Sequence, residues 1–162
     1  IRKVKKESNL IAMAPSANWE GKKWPQERFI QLIKKLINSD EFKNPKFLIF
    51  GSLNEIDDAK NISINFPKDK LINFSGSLKL NEIFLIFKYC DLFIGNDSGL
   101  MHLAAAAEIP TVGLFGPSDI IQYHPWGKNT LAIRTPESPD ELMNTKYFSH
   151  KKKKVTDAWF RT

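Results

Sequence analysis

Asp91–Pro117, DLFIGNDSGLMHLAAAAEIPTVGLFGP, is the stretch whose reading decides the fold. Asp91 to Gly95 reads as a buried strand, Asn96 to Gly99 as a tight polar turn, and the alanine-rich segment after it as a helix. Thr111 to Phe115 is a second buried strand that closes on Gly116-Pro117. A βαβ unit of this form places a polar turn at the carboxyl end of a strand and the amino end of a helix. Free N–H groups and the positive end of the helix dipole meet there, so the turn suits an anion such as a phosphate.

Working outward, apolar strand-like runs alternate with helical patterns. Leu10–Ala14, Phe47–Phe50, Leu71–Phe74 and Leu131–Arg134 read as strands. Pro25 falls where the first turn of a helix favours proline, and Phe29, Ile30, Leu32, Ile33, Leu36 and Ile37 follow at helical spacing. Asn54 to about Phe66 reads as a weaker helix and Leu80–Tyr89 as a strongly apolar one. Continuous apolar strands separated by helices predict an α/β fold, a Rossmann-like parallel sheet covered by helices on both faces.

Bulk properties set wide bounds. The 162 residues suit one compact domain with a proper core. With 42% hydrophobic and 26% charged residues the composition is that of an ordinary globular protein. A formal charge of +6 fits an anionic partner without choosing among a phosphate ligand, a nucleic acid and a membrane surface. Part of that excess sits in Arg2–Lys6 and Lys151–Lys154, runs that read as solvated ends. Cys90 is the only cysteine, so no intrachain disulfide can form, and its place at the end of an apolar helix reads as a buried thiol. No apolar run reaches the roughly 18 residues of a membrane span. The chain begins at Ile1 and runs directly into basic residues, which reads as a start within a longer protein.

Three loops follow strand ends, where ligands bind in such sheets. In Pro15–Pro25, the small residues Ser16, Ala17 and Gly21 let a ligand approach the backbone, and Lys22 and Lys23 offer ammonium groups. Surface lysines in a loop are also often merely solvated. Trp24 reads as a packing anchor. In Gly51–Glu55, Glu55 is placed either to accept from ribose hydroxyls or to serve as a cap or a solvated surface residue. In Asn96–Gly99, Asp97 and Ser98 are of the types that cap helices, and His102 lies one turn further along. No GxGxxG follows a strand, no GxxxxGK[ST] occurs, and Gly95–Gly99 does not match a Gly-x-Ser-x-Gly nucleophile elbow. Cysteine and histidine are too few and scattered for a structural zinc site.

The string GNDSGLMHLAAAAEIPTVGLFGPSD resembles the signature of the lipopolysaccharide heptosyltransferases, glycosyltransferase family nine, and PSANWEGKKWPQERFIQLI is similar to that family's phosphate-loop segment. The two motifs stand in the family's order, and the resemblance spans residues 10–135. It implies the C-terminal half of a GT-B glycosyltransferase, with residues 1–9 a basic linker from an N-terminal domain, 10–135 the nucleotide-sugar-binding domain and 136–162 an irregular basic tail. It implies an ADP-heptose donor, inverting transfer without a metal or other cofactor, and a lipid A-core type acceptor bound by the N-terminal domain. No nucleic acid is implied, and the expected location is the cytoplasm, at the inner membrane's cytoplasmic face. On this resemblance Lys22 neutralises donor phosphate, aided by Ser16, Ala17 and Asn18. Glu55 meets the ribose and Leu78 the adenine, while Asp97, Ser98, Gly99 and Leu100 line the pyrophosphate and sugar with His102 nearby. The family's base is an aspartate of the N-terminal domain, so no catalytic residue is expected here and transfer by this chain alone is expected to fail. The alternatives are a relative using another nucleotide sugar and a non-catalytic nucleotide-binding fragment.

Overall fold

A computed structural model of the chain describes residues 7–136. The two basic terminal runs and all but the first residue of the 136–162 tail lie outside them. Six strands form one sheet in the order β3-β2-β1-β4-β5-β6: β1 (Leu10–Ala14), β2 (Lys46–Ile49), β3 (Leu71–Asn73), β4 (Leu92–Asn96), β5 (Thr111–Phe115) and β6 (Thr130–Arg134). Every neighbouring pair is parallel, with Ala12 of β1 opposite Leu48 on one side and Phe93 on the other. The chain builds outward from β1 to β3, then returns to β4 on the other flank of β1 and builds outward again. The loops after β1 and β4 therefore leave adjacent strands for opposite faces, and a crevice opens between them.

The strand alternation divides the core in two, as expected for a sheet buried on both faces. Ile11 and Met13 of β1 join Phe47, Ile49 and Ile94 beneath α1 (Gln26–Ile37) and α2 (Ile56–Ser63), which contribute Phe29, Ile33, Ala59 and Ile62. On the opposite face Ala12, Ala14, Leu48, Phe50 and Phe93 meet α3 (Leu80–Phe87) and α4 (Gly99–Ala106) through Ile83, Phe87, Met101 and Ala104. A chain of aromatic contacts runs across this second face. Phe50 stacks on Phe74 at 5.8 Å between centroids and meets Phe87 edge-on at 5.1 Å, and Phe87 meets Phe93 at 5.5 Å.

The alanines of α4 let it lie close on the sheet. At Gly113 in β5 a Cβ would meet the sulfur of Met101 and the buried ring of Phe115. Gly113→Ala is expected to cost about 1–3 kcal/mol, because the thioether can shift but the packed ring has little room to do so. A fall in the thermal midpoint checks it, and an unchanged midpoint would mean α4 stands further off the sheet.

The observed elements refine the sequence reading at their ends. Pro25 is the residue before α1 rather than inside its first turn, and its carbonyl accepts from the N–H groups of Arg28 and Phe29. The weak helix from Asn54 is a 3-10 turn (Leu53–Glu55) followed by α2, which ends at Ser63. A short helix, α5 (Ile120–Tyr123), was not anticipated. Cys90 is buried as expected. Among the described residues no helix is long and apolar enough to cross a membrane.

Candidate functional site

The crevice at the β1–β4 boundary is a cleft of about 1010 Å³ over the carboxyl ends of the strands. Of the eleven residues expected at a ligand site, ten line it. Ser16, Asn18 and Lys22 come from the loop after β1, Glu55 from the turn after β2 and Leu78 from the loop after β3. Asp97 and Ser98 come from the turn after β4, and Gly99, Leu100 and His102 from the start of α4. Ala17 is the exception: it is buried in the loop and does not reach the cleft.

The centre of the cleft is ionic. Lys22 Nζ donates to Asp97 Oδ2 at 2.7 Å, joining residues 75 apart in sequence. The Asp97 side chain is only 4% exposed and that of Lys22 28%, so the ammonium is the accessible partner. The Lys22 ammonium also lies 5.4 Å from the centroid of the Tyr123 ring, a cation–π contact from α5. Neither Asp97 nor Ser98 caps α4 through its side chain. Asp97 is committed to Lys22, and Ser98, although it occupies the N-cap position, makes no capping bond. The buried Ser98 hydroxyl has no hydrogen-bond partner, a cost that a bound polar ligand would remove.

The loop that presents Lys22 is held by side chains that sequence reasoning did not single out. Asn96, read as the first residue of a turn, ends β4 and is fully buried. Its amide donates to the Pro15 carbonyl at 2.7 Å and accepts from the Trp24 N–H at 3.0 Å, so it ties both ends of the loop to β4. Asp58 of α2 secures the same loop from the other face. It accepts from Lys23 Nζ at 2.7 Å, Gln26 Nε2 at 2.8 Å and Ser16 Oγ at 3.3 Å. Burial disfavours the Lys23 charge, but hydrogen bonds to Asp58 and Glu20 outweigh it and raise the ammonium pKa above the usual lysine value. Lys23 is thus a structural cation, and Lys22 is the one that faces the cleft. Trp24 is the packing anchor expected, with its ring edge-on to Phe29 at 5.0 Å.

The far end of the cleft is less polar. Phe50, Leu78, Leu80 and Ile83 form an apolar wall near the ends of β2 and β3. Glu55 also lines the cleft, from the turn after β2. Its Oε2 accepts from the Ser52 N–H at 2.6 Å in a capping box, so the capping reading holds while the residue also faces the cleft. Among the described residues no cluster of three or more His, Cys, Asp or Glu is placed to hold a metal ion.

The cleft thus combines an apolar wall, a carboxylate and an ammonium beside a helix amino terminus. The family model for glycosyltransferase family 9 (heptosyltransferase) matches residues 2–152. The chain belongs to this family. It is 32% identical over 116 residues to lipopolysaccharide heptosyltransferase 2 of Salmonella typhimurium, covering 69% of this chain and 32% of that protein. It is 34% identical over 115 residues to lipopolysaccharide heptosyltransferase 1 of Campylobacter coli, covering 70% and 33%. The chain thus spans about a third of the length of these curated relatives. Among solved structures, the E. coli ADP-heptose lipopolysaccharide heptosyltransferase II superposes with a TM-score of 0.72 at 25% identity, over 98% of this chain and 49% of that one. An E. coli heptosyltransferase with ADP superposes at 0.69 with 18% identity, over 97% and 46%, a likeness of fold. The fold class is therefore the one expected, a Rossmann-like domain making up part of a GT-B glycosyltransferase.

Proposed function

We propose that this chain is the donor-binding part of an inverting, metal-independent heptosyltransferase and holds ADP-heptose in the β1–β4 cleft. The observation that carries the reading is the Lys22 ammonium at 2.7 Å from Asp97, beside the amino terminus of an eight-residue helix whose N-cap hydroxyl is buried without a partner. That is a preorganised cationic site with spare donors, suited to a diphosphate. In this reading Lys22 and the first N–H groups of α4 hold the pyrophosphate, with Ser16 and Asn18 beside it. Ala17 contributes loop shape rather than contact. Glu55 receives ribose hydroxyls through the oxygen its capping bond leaves over, and Leu78 packs on the adenine. Asp97, Ser98, Gly99, Leu100 and His102 surround the sugar end.

Transfer would break the bond between the anomeric carbon and the diphosphate, and the departing ADP gains negative charge as it leaves. Donors already aimed at that charge stabilise it without reorganisation, which is where a metal-independent transferase needs cationic help. The base that takes the acceptor's proton would come from outside this chain, as would the lipid A-core type acceptor site, so the isolated chain is expected to bind donor without transferring heptose. A cytoplasmic setting against the inner membrane fits such an acceptor and the net charge of +6. The structural relative is an ADP-heptose lipopolysaccharide heptosyltransferase, which supports adenine as the base.

Calorimetric titration with ADP, UDP and GDP tests this. ADP is expected to bind at least about tenfold more tightly than the other two. Preference for UDP or GDP would replace the donor with another nucleotide sugar, and absence of binding to all three would contradict the site.

A further inference from the structure

The geometry points to Tyr123 as the residue that recognises the donor's sugar, a role that rests on the nucleotide-sugar reading of the same cleft. Along the carboxyl edge of the sheet, the strand order β3-β2-β1-β4-β5 sets the order of the side chains above it. Leu78 follows β3, Glu55 follows β2, Lys22 and Asp97 sit at β1 and β4, and Tyr123 follows β5 on α5. A donor with its base on the apolar wall and its diphosphate at Lys22 would carry its sugar past Lys22, on the side where α5 lies. Tyr123 stands on that side, just outside the residues that line the cleft. It is 41% exposed, and its ring centroid lies 5.4 Å from the Lys22 ammonium.

An aromatic ring in that position serves both ends of the contact. Its negative face attracts the ammonium and keeps it near the cleft, while its exposed edge and hydroxyl offer an amphipathic surface to a pyranose. Lys22 thereby contacts both Asp97 and Tyr123 while lining the cleft. The sugar would rest on Tyr123 of α5 as well as on the residues at the start of α4, and the diphosphate on Lys22 and the first N–H groups of α4. Tyr123 thus acts on specificity for the sugar rather than on affinity for the nucleotide.

Titrating the wild-type chain, Tyr123→Ala and Tyr123→Phe with ADP and with ADP-heptose tests the assignment, with circular dichroism as the check on folding. Tyr123→Ala is expected to weaken ADP-heptose about tenfold or more and ADP by no more than about threefold, the share owed to the lost ring over Lys22. Tyr123→Phe keeps that ring, so ADP is expected to bind as to the wild type while ADP-heptose weakens by about threefold. Equal factors for the two ligands in the alanine variant would overturn the sugar role and leave Tyr123 acting only through Lys22. A wild-type chain that binds ADP and gains no affinity from the heptose would overturn it too, with nucleotide binding intact. Failure of the wild type to bind either ligand would overturn both the nucleotide-sugar reading and this inference.

Discussion

Lys22→Ala is expected to weaken ADP binding by about 1–3 kcal/mol, roughly fivefold to 150-fold, because a charge-assisted contact to phosphate is lost at the centre of the cleft. The same change strands Asp97, whose side chain is 4% exposed and whose hydrogen bond to Lys22 is 2.7 Å long. A buried carboxylate left without its partner costs about 3 kcal/mol or more of stability, so loss of binding and loss of fold must be separated. The double variant Lys22→Ala with Asp97→Asn does this. Removing the charge on residue 97 is expected to restore most of the thermal midpoint and none of the ADP affinity attributable to Lys22. Calorimetry and thermal melting on the three chains check it. ADP affinity within about twofold of wild type in a folded Lys22→Ala chain would reduce the lysine to a structural partner of Asp97.

Asn96→Ala is expected to be strongly destabilising. The side chain is fully buried and uses both ends of its amide, toward the Pro15 carbonyl at 2.7 Å and from the Trp24 N–H at 3.0 Å. Truncation leaves two backbone groups unsatisfied, at about 1–2 kcal/mol each. The total of about 2–4 kcal/mol corresponds to a fall of roughly 5–15 °C in the melting midpoint of a domain this size. Pro15 and Trp24 bracket the loop that carries Ser16 and Lys22, so ADP affinity is expected to fall as well, even well below the melting transition. A midpoint within a degree of wild type would show that Asp58, with its bonds to Ser16, Lys23 and Gln26, holds the loop by itself.

The architecture was legible because it is written in local patterns. Leu10–Ala14 and Val112–Phe115 are short, largely apolar runs bounded by turn residues, as a strand covered on both faces requires, and the residues from Phe29 to Ile37 follow helical spacing. The site was legible through the strand-end rule, which marks loops rather than contacts. It could identify Lys22 and Asp97 as cleft residues, but not their pairing, since nothing in a sequence signals a hydrogen bond between residues 75 apart. Choosing between Lys22 and Lys23 was beyond the pattern for the same reason. What separates them is Asp58 on a different helix, 35 residues from Lys23. Asn96 was missed because asparagine before Asp-Ser-Gly reads as a turn former, and only the parallel pairing of β4 with β5 through Asn96 and Leu114 shows that it extends the strand. At four residues α5 is too short to show a helical period, so Tyr123 carried no signal, although Asp119 at its N-cap accepts from the Ile121 N–H at 2.9 Å.

The most direct measurement is a crystal structure of the chain grown with ADP. The expected result places the pyrophosphate within hydrogen-bond distance of Lys22 Nζ and the first N–H groups of α4, with the Ser98 hydroxyl acquiring a partner and the adenine against Leu78. ADP bound outside the β1–β4 cleft, or bound within it with Lys22 making no contact to phosphate, would contradict the donor site proposed for this chain.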